Sequence, residues 1–315
     1  MTKRSLEVTI LGLALTLTGA CKGRTAAWEE GTSKSPEPAP AAAGDSAEKP
    51  GQAAWDARSD KAKVLEAIAA WEQVVGCTAG TTSPKDRCAN ASTAAANKET
   101  LAMLTRANYF YADSYLRGSE AEYLEFMDRA VWWGERALIS ASPEFADKMR
   151  NKGKFADAIV LVGKDAQPAM YWYASALGKW ARAKGFGVVV GQKDNIKATM
   201  TRALELDPTF FHGGPHRYFG AYYAVAPAFA GGDTNKSADH FKKSLELAPY
   251  YLGTKVLMAE NLAVKLDDAA MFDRLLKEVL EADLSTVPPE ILPEMKVEQE
   301  KARELQKKKA DGDLF

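Results

Sequence analysis

Large apolar side chains recur every three to four residues along most of the chain, so the helical period governs the pattern. That spacing predicts helices at about 57–75, 94–116, 119–140, 166–184, 192–206, 215–226, 234–247, 250–265, 268–282 and 290–309, with a shorter helical pair over 144–163. The one β-branched run, Val188-Val189-Val190, stands among Gly185, Gly187 and Gly191 and reads as a joint between two helices. The fold class expected is all-α. Asp233 and the pair Asp267-Asp268 stand where helices begin, and capping accounts for them.

The chain also repeats itself. Met200–Pro208 is echoed position by position in Phe241–Pro249, and more loosely in Glu135–Pro143. In the first two, a large apolar residue stands eight positions before proline, a small one (Ala203, Ser244) five before, and a Leu-Glu-Leu run closes the segment. The small residue lets a paired helix approach and the proline ends the helix, as in the second helix of a tetratricopeptide unit. Each pair can bury one face against itself and needs its neighbour for the other. We therefore expect a tetratricopeptide-like solenoid of helical hairpins, irregular in repeat, over residues 55–315, with a concave binding groove.

The N-terminal end reads differently. Lys3 and Arg4, an apolar run from Val8 to Leu17, and Gly19-Ala20-Cys21 form the layout of a signal peptide over residues 1–20. The run is too short to span a bilayer. A cysteine at the cleavage border resembles a bacterial lipobox, which makes Cys21 the lipidated first mature residue. Residues 21–54 are rich in Ala, Pro, Gly and Ser, with Trp28 the one large apolar residue between Lys22 and Ala54, and read as a disordered tether of roughly 30 Å. The expected location is the bacterial cell envelope facing the periplasm, held by lipid alone; Lys22 after the cysteine points to the outer membrane.

A net charge of −1 argues against nucleic acid as a partner. With Cys21 acylated, Cys77 and Cys88 remain in an oxidising compartment, and a disulfide across the intervening loop is the simplest account. Neither has the neighbours a zinc site requires.

Candidate binding chemistry concentrates mid-chain. Met170-Tyr171-Trp172-Tyr173 and Trp180 build an aromatic helix face, and His212-Gly213-Gly214-Pro215-His216-Arg217 opens another helix, followed by Tyr222 and Tyr223. His216 and Arg217 fall in a first turn, where free N–H groups suit an acidic ligand. The plainer alternatives are a chain turn with Arg217 paired to a nearby acid, and aromatics serving as core. His212 and His216 are four apart, yet Pro215 starts the helix between them, so no metal is expected. No nucleophile and base pair emerges, which argues against an enzyme, and no cofactor is implied.

The run Tyr171–Gly185, then Leu204-Glu205-Leu206-Asp207-Pro208, Gly213-Gly214-Pro215-His216-Arg217, Gly231-Gly232-Asp233 and Ala259-Glu260, resembles the TatT lipoproteins. These are tetratricopeptide-containing components associated with tripartite ATP-independent periplasmic (TRAP) transporters. The resemblance covers about Leu101 to Asp283. It implies a periplasmic homotrimer with a hydrophobic channel that engages the transporter's substrate-binding protein and holds a hydrophobic or organic-acid small molecule. It maps the turn Gly213, Gly214, Pro215, His216, Arg217 and the aromatics Trp172, Trp180 and Tyr222 onto the channel. The competing function is a general periplasmic scaffold in envelope assembly that binds peptide segments.

Overall fold

The computed structural model describes residues 24–30, 44–79 and 84–315, and among these it holds helices and no strand. In chain order they are α1 Gly44–Asp56, α2 Lys61–Val74, the single turn α3 Pro84–Arg87, α4 Lys98–Tyr115, α5 Glu120–Ala141, α6 Pro143–Arg150 and α7 Phe155–Ile159. They continue as α8 Gln167–Lys184, α9 Phe186–Leu206, α10 Phe210–Val225, α11 Thr234–Leu247, α12 Gly253–Leu257, α13 Ala269–Leu280 and α14 Leu292–Ala310. The α12 helix loosens directly into a π-helical stretch, Met258–Ala263.

Helix ends follow the local chemistry. The Ser142 hydroxyl accepts the Phe145 N–H at 3.1 Å ahead of α6. Asp233 caps α11 through the N–H groups of Asn235 (3.0 Å) and Lys236 (3.1 Å), and Asp268 caps α13 through Met271 (2.8 Å). Consecutive helices pack as the pairs α1/α2, α4/α5, α8/α9 and α10/α11. The matched small residues of the repeat, Ala203 and Ser244, are fully buried. Gly134 serves the same need on α5, since a Cβ there would stand 2.8 Å from that of Tyr173 on α8.

Two expectations change. The valine run is no joint: α9 is continuous from Phe186, and the break falls on Gly185, whose φ of 109° admits no ordinary side chain easily. With no strand partner present, the valines satisfy their backbone groups within the helix. Part of the expected tether is also packed onto the body. Trp28 is buried, and α1 sets Trp55 against Trp71 (6.0 Å between ring centres) and Phe110 (5.5 Å). Gly51 makes that approach possible, because a Cβ there would lie 2.6 Å from the Trp71 indole nitrogen. A single tryptophan in each stretch supplies an anchor that average composition conceals. The signal peptide and Cys21 lie outside the described residues.

The core divides in two. One part runs from Trp28 to Phe219 and a second gathers Ala248 through Leu305, with Ala224, Phe241 and Leu262 forming a small cluster of their own. Across the seam, α4 and the turn that follows it are joined to α14 by three charge pairs of alternating sign. Arg106 meets Glu294 (2.9 Å), Asp113 meets Lys301 (2.6 Å), and Arg117 meets Glu304 (2.8 Å). Both helices advance by seven residues between the first two rungs, two turns on one face each. The last helix thus returns to the fourth, and the groove expected of an open array is bridged.

The disulfide joins Cys77 to Cys88 over a sequence separation of 11, and Cys88 is fully buried. A loop of that length contributes about 3 kcal/mol in the chain-entropy account. Cys77→Ser should lower the unfolding midpoint under oxidising conditions by several degrees, and reductant should move the native chain by the same amount. An unmoved midpoint in both would remove the bond from the list of stabilising features.

Candidate functional site

Between the two halves of the core lies a cavity of about 570 Å³, walled by α4, α8, α9 and α10 on one side and by α12, its π-helical continuation and α14 on the other. The helical period brings Arg106, Tyr109, Phe110 and Asp113 of α4 to this space, and Glu294, Val297, Glu298 and Lys301 of α14 to meet them. From α8 come Trp172, Ser175 and Lys179, and from the π-helical stretch Glu260 and Asn261. The walls are mainly apolar, with ten aromatic side chains. Burial pushes the phenols of Tyr109 and Tyr251 well above their ordinary range, so both remain neutral hydroxyls.

The chain enters α10 through an uncommon turn. Phe211, His212 and Gly213 have φ of 45°, 58° and 70°, all left-handed, ahead of Gly214 and Pro215. Each non-glycine residue in that region costs on the order of 1 kcal/mol or more. Arg217 holds the turn from within: its Nη1 donates to the His212 carbonyl (3.0 Å) and its Nη2 to the Phe211 carbonyl (3.2 Å) and the Tyr171 hydroxyl (3.1 Å). The guanidinium also lies 4.0 Å from the Tyr251 ring centre. The turn in exchange projects Phe211 into the cavity wall, 4.6 Å from Trp172 and 5.6 Å from Tyr251 between ring centres. Arg217 is only 4% exposed, and among the described residues no carboxylate forms an ion pair with it.

Two polar knots flank the aromatic walls. Glu294, buried, receives Arg106 Nη2 at 2.9 Å and Arg58 Nη2 at 2.7 Å. Asp113, also buried, receives Lys179 Nζ at 2.8 Å and Lys301 Nζ at 2.6 Å, while Lys301 reaches Glu298 at 2.8 Å. Burial alone would raise the Asp113 carboxyl, but the two ammonium groups hold it well below the usual carboxylate range. Around the whole cavity stand six cationic and four acidic side chains, so the lining carries a positive excess.

Of the residues singled out in the sequence, Trp172, Arg217 and Tyr222 line the cavity. Trp180 lies in the core, and Gly213, Gly214 and Pro215 are buried within the turn rather than on the wall. Gly214 is there because a Cβ would meet the Tyr171 ring at 2.7 Å. His216 faces away, its Nδ1 3.0 Å from that of His240, and His212 contacts the Tyr250 hydroxyl at 3.1 Å. Burial and the neighbouring His216 push the His240 imidazole down to about 4. The two histidines four positions apart therefore have different partners. Reading the sequence missed Arg106, Asp113, Lys179, Glu294 and Lys301; the one signal was opposite charge seven residues apart in Arg106/Asp113 and in Glu294/Lys301.

Asp113→Asn keeps the shape and removes the charge between two lysines, so it should cost on the order of 3 kcal/mol. A depressed folded-state value means that the Asp113 contribution is present above the ordinary carboxyl value of 3.8 and is lost as pH falls through the lower folded one. Denaturant titrations from pH 7 to pH 2 should show a smaller acid-side loss in the variant than in the native chain. Equal losses would mean that Asp113 is not held as the geometry indicates.

The family model described as TAtT, TRAP transporter T-component, matches residues 92–315, which include every rung between α4 and α14 and every residue of the cavity wall. No curated protein matches the chain. The match covers well over half of the sequence, and the chain belongs to the TRAP transporter T-component family.

Proposed function

We propose that the protein shelters an amphiphilic organic acid in the seam cavity and presents it to the substrate-binding protein of its transport system, while anchored at the envelope through lipid on Cys21. The family is one of transport components rather than enzymes. One observation carries the ligand class: a buried guanidinium, Arg217, reaches an aromatic cavity with no ion-paired carboxylate of its own among the described residues. An aliphatic or aromatic body suits the Tyr, Trp and Phe walls, and a carboxylate suits the positive excess. The π-helical stretch at the wall adds support, since such departures from α geometry concentrate at functional sites.

Phe186 and Phe229 belong to the cavity lining and yet are 69% and 89% exposed, which sets two apolar side chains at its mouth. A partner that receives the ligand would cover them. The same reading favours the transport role over a peptide scaffold, because α14 bridges the groove an extended segment would need. The location proposed is the periplasmic side of the envelope, on the outer membrane, as a homotrimer.

Titration calorimetry with decanoate and with decanol separates charge from apolar fit. The native chain should prefer the acid, and Arg217→Gln should weaken decanoate by about tenfold or more while leaving decanol within about twofold. Equal losses for both probes would show that Arg217 only shapes the turn.

A further inference from the structure

Residues 24–30 form a docked unit that the cavity does not explain. On α5, Asp128, Trp132, Glu135 and Arg136 occupy one face at spacings of four, seven and eight. Each meets this segment. Arg24 Nε donates to Asp128 at 2.9 Å, and its Nη1 donates to Glu135. Glu135 also accepts the Ala27 N–H at 2.8 Å, and Trp132 Nε1 donates to Glu30 at 3.0 Å. Arg136 completes the set against Glu30 at 3.5 Å. Trp28 enters a cage of Phe145, Phe155 and Tyr173, with ring centres 5.6, 5.8 and 6.3 Å away.

The direction of the segment matters. Arg24 pairs with the middle of α5 and Trp28 packs beyond its end against α6 and α7, so the end of the segment nearer Cys21 in sequence is the one whose side chain meets Asp128. Lys85 of the disulfide loop donates to that same carboxylate at 2.6 Å. Two residues, Lys22 and Gly23, stand between Cys21 and Arg24, and the three backbone steps fully extended reach about 10 Å.

We propose that residues 24–30 are an anchor clamp that fixes the acylated end of the chain to α5 and turns the edge carrying α3, the disulfide loop and the first half of α5 toward the lipid headgroups. The inference rests on the assignment of lipid to Cys21. A body on a free tether would stand roughly 30 Å from the bilayer and rotate, whereas the clamped one lies within about 10 Å in one orientation. The occupant of this edge is thus the bilayer surface to which the chain's own lipid belongs.

The test uses the full lipidated protein on a supported bilayer. Intact mass first checks for acyl chains. Neutron reflectometry then measures the hydrated layer between headgroups and protein, and hydrogen exchange measures protection of the amide of Ala27. The clamp predicts a layer of about 10 Å or less with Ala27 protected, and Trp28→Ala should widen the layer toward roughly 30 Å with helix content unchanged. Should Trp28→Ala unfold, Arg24→Ala, which leaves the aromatic cage filled, should widen the layer instead. Acylated protein with a wide layer, an unprotected Ala27, or variants that leave the layer unchanged would overturn the clamp alone. A mass without acyl chains would overturn the lipid assignment together with the membrane-facing edge.

Discussion

The alternating ladder between α4 and α14 is the constraint on which the remaining features depend. Stacked helical pairs have no reason of their own to close, because each pair is satisfied by its neighbours. Arg106 to Glu294, Asp113 to Lys301 and Arg117 to Glu304 bring the last helix back across the first half of the core. The outermost rung is partly exposed and adds little stability, while the two inner ones pay desolvation against their attraction. Their physical value lies in register. Signs alternate along each side of the ladder, so sliding α14 by one rung would bring like charges together, and only one alignment leaves every inner charge matched.

Closure by long charged side chains, rather than by packed small ones, leaves space between the two halves of the core. Aromatic residues from both sides face that space, and the left-handed turn before α10 adds Phe211 to them. Arg217 then acts twice: it satisfies the carbonyls of a strained turn, and it brings a buried positive charge to the wall. A strained turn is tolerated where its surroundings hold it, and here the holder is also the group suited to a ligand. The ladder makes the cavity and the turn furnishes it, in a chain that belongs to a family of TRAP transporter components.

Much of the fold was legible because burial in helices imposes a period. Helix ends at Pro208 and Pro249, caps at Asp233 and Asp268, and the small positions Ala203 and Ser244 all stand where local chemistry places them. Arg217 and Tyr222 were legible as cavity residues beside a glycine and proline turn, and Trp172 within an aromatic run. Glu294 and Lys301 were not, since a helix dense in both charges has the same composition whether it faces water or a partner of matching sign. Trp28 was hidden for a different reason. One large ring within an Ala- and Pro-rich stretch barely changes its average, yet the cage waiting for that ring lies more than a hundred residues away.

The central claim is that closure of the helical array creates a chamber for an acid with an apolar body. Native mass spectrometry of the soluble chain from Lys22 onward, isolated without detergent, tests it most directly. The account predicts a retained small molecule that, once released by denaturation, behaves as an organic acid with an apolar skeleton. A bare chain mass, under conditions gentle enough to preserve a decanoate added as control, would contradict it.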